Sequence, residues 1–336
     1  MSGDQEEGST RWWSFLQSLG PLLALVIVTL GFAMADQYWG EGHFSELRNV
    51  RVILVQAAPV AVAALGMTLI IISGGIDLSA GTASALCATV LASLLASECS
   101  GSFAVAMTLL AGAACGLTNG LLIGLLRIPP FIVTLGTMTI FLGIGKRIAG
   151  GSTVFVPSPP DWLPSLVATM PPDWFGWIPN IASGVWLAVG IAILVAVVLH
   201  YTVLGRHLFA IGSNESTAVL CGVNILKTKV IVYALAGLLI GIAGIYSFSQ
   251  GKMANPVEGI GRELKFIAAV VIGGGSLSGG RGSVLGTLAG AAIMGVISSG
   301  CAQLEVKNST QDIMIGTIII AAVTLDQFRI RRANLD

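Results

Sequence analysis

The apolar residues of this chain fall in long continuous runs rather than in alternating or one-faced stripes. Ten runs stand out, at roughly 15–35, 52–72, from just past Gly81 to about Leu95, 103–126, 131–144, 185–203, 230–248, 264–274, 284–301 and 313–325. About 20 apolar residues cross a hydrocarbon core some 30 Å thick. In lipid the backbone must satisfy its own polar groups, so such runs are helices or the strands of a closed barrel. Barrel strands alternate in polarity, and these runs do not. The pattern predicts an all-α integral membrane protein with about ten transmembrane helices in a single domain over 1–336. The eighth run is short and glycine-flanked, which predicts a broken or tilted helix. Arg127-Ile128-Pro129-Pro130 predicts a short link, because two successive prolines cannot continue a helix.

Composition agrees. Of 336 residues, 54% are hydrophobic and 10% charged, against about 25% charged in soluble domains, and the mean hydropathy is +0.87. Too few charges remain to clothe a soluble fold of this size. The formal net charge of zero excludes a basic face for nucleic acid. Forty-three glycines suit close helix–helix approach. The five cysteines, Cys87, Cys99, Cys115, Cys221 and Cys301, show no CxxC or metal-like spacing and read as apolar core thiols. The acidic N-terminus lacks the basic start of a secretory signal, so the first run reads as a retained helix, with Trp12 and Trp13 as interfacial anchors.

An even number of spans places both termini on one side. Lysine and arginine near the span ends divide almost evenly, and the basic tail Arg329-Ile330-Arg331-Arg332 tips that side to the cytoplasm. Residues 1–14 and 326–336 are then cytoplasmic tails and 205–229 a cytoplasmic loop. The long loop 146–182, rich in proline and carrying Trp162, Trp174 and Trp177, becomes a periplasmic cap.

Asp77 lies between two apolar runs. A carboxylate at a helix centre costs about 2.5–3.5 kcal/mol on insertion scales. Two readings stand for it: a residue of the translocation path or of a re-entrant bend, or a cap on the next helix inside a glycine turn, shared with Ser79 and Thr82. Gln56, Asn119, Thr134 and Thr137 are further path candidates. The alternative is that they bond only to neighbouring helices or to their own backbone. The turn Gly74-Gly75-Ile76-Asp77-Leu78-Ser79-Ala80-Gly81 is echoed by Gly273-Gly274-Gly275-Ser276-Leu277-Ser278-Gly279-Gly280, which suggests an internal duplication.

No catalytic constellation appears. His43, His200 and His207 sit at expected loops or span ends, and neither HExxH, GxSxG nor a phosphate-binding GxxxxGK[ST] is present. The chain reads as a non-enzymatic transport subunit without cofactor or metal, and any ATPase must be another polypeptide. The polar stretch Gly205 to Gly222 is the most informative. Ser213 is an expected N-cap, Glu215 complements the dipole of a short helix, and Gly222 ends it.

Four motifs in order make the chain resemble the permease subunits of bacterial ABC sugar importers of the ribose, xylose and galactoside type, inner-membrane components of binding-protein-dependent transport. They are Ser73 to Gly81, with Ala80 where the family usually has valine; Asn119-Gly120 followed by Pro129 to Gly136; Gly205-Arg206 through Gly212-Ser213-Asn214-Glu215 and Ala218 to Gly222; and Glu263 through Gly274, Ser276-Leu277 and Gly279 to Gly282. The resemblance spans nearly the whole chain. It implies multi-pass residence in the bacterial inner membrane, a coupling helix within 205–222 seated on an ABC ATPase subunit, and a second permease copy or paralogue as dimer partner. It also implies a periplasmic sugar-binding protein that delivers a monosaccharide. The loop 146–182 is longer and richer in tryptophan than ribose permeases lead one to expect. The rival readings are an ion-driven secondary transporter, for which Asp77 is the one intramembrane carboxylate to offer, a membrane-embedded enzyme, and a related importer of branched-chain amino acids, nucleosides or a signalling furanose.

Overall fold

A computed structural model describes residues 3–169 and 181–333, with side chains described for 20–169 and 181–324. Its thirteen α-helices are α1 (Gly3–Trp39), α2 (Leu47–Ile72), α3 (Ala80–Ala96), α4 (Gly101–Leu126), α5 (Pro130–Ile148), α6 (Trp162–Ser165), α7 (Ser183–Tyr201), α8 (Val203–Ser213), α9 (Glu215–Leu220), α10 (Ile225–Gly251), α11 (Arg262–Ile272), α12 (Val284–Gln303) and α13 (Asn308–Ala333). Each of the ten apolar runs coincides with one of them. Among the described residues seven helices are long and apolar enough to cross a membrane: α1, α2, α4, α5, α7, α10 and α12. The fold is therefore that of a multi-pass helical membrane protein.

α3 has 17 residues and α11 has 11. At 1.5 Å per residue they reach about 26 and about 17 Å, short of the core thickness. α11 is bracketed by Gly261 (φ +85°) and Gly274 (φ +86°), and this matches the broken eighth helix expected from its flanks. α1 continues through the expected tail: Gly3 to Trp39 is one helix, with Pro21 inside it. Trp12 and Trp13 belong to the part whose side chains are not described, and Trp174 and Trp177 lie outside the described residues.

α2, α10 and α12 carry the buried centre, including Met67, Ile71, Ile240, Ala243, Ala291 and Met294. α1, α4 and α7 turn leucine and isoleucine outward, with Ile27 68%, Leu110 62% and Ile193 62% exposed, as a lipid-facing shell requires. α4 and α10 meet through facing glycines. A Cβ on Gly116 would overlap the Tyr233 carbonyl, and one on Gly241 would stand 3.5 Å from the Gly112 Cα. The loop after α5 forms an antiparallel two-residue pairing, with β1 (Val154–Phe155) joined to β2 (Met253–Ala254), and a 3₁₀ turn, Pro256–Gly259, follows.

The two glycine turns are built alike. After α2, Gly74 N donates to Ile71 O at 2.9 Å and Gly75 N to Ile70 O at 3.0 Å. After α11, Gly274 N donates to Val271 O at 2.9 Å and Gly275 N to Val270 O at 2.9 Å. Both are glycine helix stops in which C′ takes positive φ, Gly74 at +77° and Gly274 at +86°. The stops pair Gly74 with Gly274, one residue off the sequence echo, and the next contact returns to the register of the echo: Ser276 Oγ meets Ser278 Oγ at 2.8 Å where Asp77 Oδ1 meets Ser79 Oγ at 2.6 Å. Beyond it the two turns part: α3 begins at Ala80, whereas Gly279 and Gly280, both at positive φ, delay α12 until Val284.

Candidate functional site

The polar residues picked from sequence separate into three places. Four of the five path candidates share one buried knot. Asp77 Oδ1 accepts from Ser79 N at 2.8 Å and from Ser79 Oγ at 2.6 Å. Asn119 Nδ2 donates to Ser79 Oγ at 2.8 Å, and Thr137 Oγ1 donates to Asn119 Oδ1 at 2.7 Å. Thr134 Oγ1 reaches the Ile76 carbonyl at 3.2 Å. All five side chains are buried. The network pins the non-helical link between α2 and α3 to the C-terminal half of α4 and the N-terminal half of α5. Asp77 makes its turn by bonding its own loop two residues on, so it does not cap α3, whose N-cap Ser79 makes no side-chain cap bond.

The second place is the stretch after α7. It folds as two helices, α8 and α9, broken at Asn214, rather than as one short helix. Asn214, not Ser213, is the cap: its Oδ1 accepts from Thr217 N at 2.9 Å and from Ser216 Oγ at 2.7 Å. Asparagine and serine are both good caps, so sequence alone did not order them. Glu215 does enter the first turn of α9, where its Oε2 accepts from Lys229 Nζ of α10 at 2.7 Å. Gly222, at φ +82°, ends the segment as expected. Ala218 and Gly205 are buried, whereas Arg206, Ser213 to Thr217 and Val219 to Gly222 are exposed. Leu220 is 87% exposed on this polar knob. At the C-terminal end of α8, just before Asn214, Gly212 packs into the junction of the two glycine turns. A Cβ there would overlap Ile72 O and Gly280 N. Gly280 N itself donates to Ile72 O at 2.9 Å.

Gln56, the fifth path candidate, stands apart in a cavity of about 520 Å³. The polar wall includes Gln56 of α2, Ser84 of α3, Gln250 of α10, Arg262 and Lys265 of α11, and Gln311 of α13. Gln56 and Ile72 lie sixteen residues apart on one helix, about 24 Å along its axis, so the cavity and the Gly212 junction occupy opposite ends of α2. The pairs Arg262/Lys265 and Ser247/Gln250 are spaced i, i+3, which puts each on one helix face. That i, i+3 spacing is the sequence signal for this polar face, and it sits at the ends of otherwise continuous apolar runs. Glu263, on the same half-helix, is also buried; its Oε1 accepts from Gly261 N at 3.1 Å.

A buried core, a lipid-facing shell and an exposed knob at one end define a polytopic membrane subunit rather than a soluble enzyme. Residues 49–323 match the family described as branched-chain amino acid transport system / permease component, and the chain belongs to this family of transport permeases. Among its relatives, the ribose import permease protein of Escherichia coli strain K12 is 39% identical over 290 residues, covering 84% of this chain and 87% of that one. The ribose import permease protein of Bacillus subtilis strain 168 is 37% identical over 318 residues, 93% of each chain. The D-allose transport system permease protein of Escherichia coli strain K12 is 31% identical over 312 residues, 91% of this chain and 90% of that one. No solved structure matches the chain significantly. The chain is thus a non-catalytic transport subunit of a multi-pass membrane permease.

Proposed function

We propose that this permease carries a monosaccharide of the ribose or allose kind, delivered by a periplasmic binding protein and driven by a separate ABC ATPase. The observation that carries the reading is the α8–α9 knob. It exposes Ser213 to Thr217 and Leu220, while Gly212 at its root is wedged between the ends of α2 and the second glycine turn. A protein that grips such a knob pulls on two helix stops at once. The relatives' sugar specificities support the substrate class.

In this reading Gly205, Arg206, Gly212, Ser213, Asn214, Glu215, Ala218 and Gly222 form the element that couples to the ATPase. Both termini and the loop 205–229 face the cytoplasm, the loop 146–182 faces the periplasm, and the short helices α3 and α11 complete ten passes together with α13. Two permeases, identical or paralogous, enclose the pathway. Asp77, Asn119, Thr134 and Thr137 act as a fixed knot beside that pathway, and Gln56 faces it.

The test is reconstitution of the permease with its ATPase in proteoliposomes, with the binding protein and labelled D-ribose or D-allose outside. Uptake is expected to require ATP in the compartment that holds the ATPase and to survive a protonophore. Uptake abolished by the protonophore at constant ATP would instead establish an ion-driven transporter.

A further inference from the structure

Partnerless polar atoms are rare inside proteins because each costs its full desolvation. Two of them line the same cavity. Ser84 is 1% exposed, and its Oγ has no hydrogen-bond partner among the described residues. This is unlike Thr89 Oγ1 on the same helix, which donates back to the Ala85 carbonyl at 2.8 Å. Gln56 Oε1, across the cavity on α2, is likewise buried without a partner. Gly244 of α10 packs against the Ser84 backbone, and a Cβ on that glycine would stand 2.6 Å from Ser84 O.

The rest of the wall has a consistent chemistry. Gln250 adds a further amide, Gln311 adds one whose Nε2 already donates to Ser298 Oγ at 3.0 Å and whose oxygen can accept, and Phe266 and Pro59 supply apolar faces. Arg262 is already engaged, donating to Ser247 Oγ at 2.5 Å and to Glu258 Oε2 at 3.3 Å. Lys265 has no acidic partner among the described residues, and its ammonium offers three donors. Amides that both give and accept, a free hydroxyl, one donor cation and a flat apolar face fit a ligand with many hydroxyls on its edge and C–H groups on its face. The cavity size lies within the 300–1,000 Å³ range of small-molecule sites.

We infer that this cavity is a monosaccharide-binding chamber within the permease, in which Gln56 and Ser84 bond sugar hydroxyls and Lys265 donates to a ring or hydroxyl oxygen. The inference rests on the sugar-import reading above and deepens it by placing the sugar at the end of α2 opposite the coupling knob. Selectivity is then set partly by the permease and not by the binding protein alone.

The experiment measures uptake of labelled D-ribose, D-allose and D-fructose by the complete importer in proteoliposomes, alongside ATPase activity stimulated by the sugar-loaded binding protein. Four variants are compared: Ser84→Ala, Gln56→Leu, Lys265→Met and the control Ser93→Ala. Ser93 Oγ, also on α3, likewise has no partner among the described residues, but it lies outside the cavity. Removing an unpaired hydroxyl does not weaken the fold, so Ser84→Ala and Ser93→Ala both express normally. Expected is a three- to ten-fold fall in uptake for Ser84→Ala, about ten-fold or more for Gln56→Leu and Lys265→Met, a changed order among the three sugars, and stimulated ATPase retained. Ser93→Ala matches wild type. Wild-type rates and sugar order in both Ser84→Ala and Gln56→Leu would overturn the chamber and leave the import reading intact. A wild-type complex that moves no sugar with ATP would overturn both.

Discussion

Gly212 of α8 sits against the carbonyl of Ile72, the last residue of α2, with no room between them for a side chain. The same carbonyl accepts the Gly280 amide. One oxygen therefore joins the exposed knob, the end of a buried helix and the turn that leads into α12. In the proposed coupling scheme this contact is what passes movement of the knob to α2 and to the turn before α12.

Gly212→Ala forces that joint open, and overpacking of this kind costs about 1–3 kcal/mol. The expected outcome is a permease that still inserts and binds its ATPase while uptake falls at least ten-fold relative to ATP hydrolysed. Measuring sugar moved per ATP in proteoliposomes checks this. An unchanged ratio would show that the contact transmits nothing.

The buried knot predicts a different phenotype. Asn119→Leu leaves Ser79 Oγ without the Asn119 donor and Thr137 Oγ1 without the Asn119 acceptor, at about 1–3 kcal/mol. Asp77→Ala removes the acceptor of two loop bonds and behaves likewise, while Asp77→Asn keeps an acceptor oxygen and is milder. Thermal unfolding in detergent should move down for Asn119→Leu and Asp77→Ala, with sugar selectivity preserved in whatever folds. Normal melting with altered selectivity would place these residues on the sugar's path instead.

Glu215 and Lys229 form an ion pair at the rim, with Glu215 54% exposed. Exposed pairs stabilise by only about 0–1 kcal/mol. Glu215→Lys should therefore fold and insert normally yet lose ATP-driven uptake, because the reversed charge would sit on the proposed docking face. Co-purification of the ATPase together with uptake reads both effects, and full uptake would remove this residue from the coupling surface.

The paired helix stops make a symmetrical prediction. An alanine at either Gly74 or Gly274 must adopt positive φ, at roughly 1–2 kcal/mol. Gly74→Ala and Gly274→Ala should lower the melting temperature to a similar extent. A large effect at only one of them would mean that the two turns do not bear equal load.

The helices were legible because lipid imposes a length and a polarity on every crossing, and apolar runs report both directly. The short α11 was legible too, since glycine flanked its run. The capping detail was not: Ser213 and Asn214 are adjacent cap formers, and only the break between α8 and α9 decides between them. Asp77, Asn119 and Thr137 could be picked singly as polar residues in apolar surroundings. That they bond to one another depends on how α4 and α5 pack around the loop, which no local pattern encodes. The i, i+3 pairs on α10 and α11 mark polar faces, but the cavity exists only where packing brings Gln250 and Lys265 against Gln56 and Ser84 of α2 and α3.

The account stands on the knob facing the compartment that holds the ATPase, and Cys221 reports this directly. Cys221 is exposed in the knob, Cys87, Cys115 and Cys301 are buried, and Cys99 is partly exposed in the turn between α3 and α4. In a Cys99→Ser variant, a membrane-impermeant maleimide should label Cys221 in inverted inner-membrane vesicles and leave it unlabelled in intact spheroplasts. Labelling in spheroplasts but not in inverted vesicles would put the knob out of the motor's reach and contradict the account.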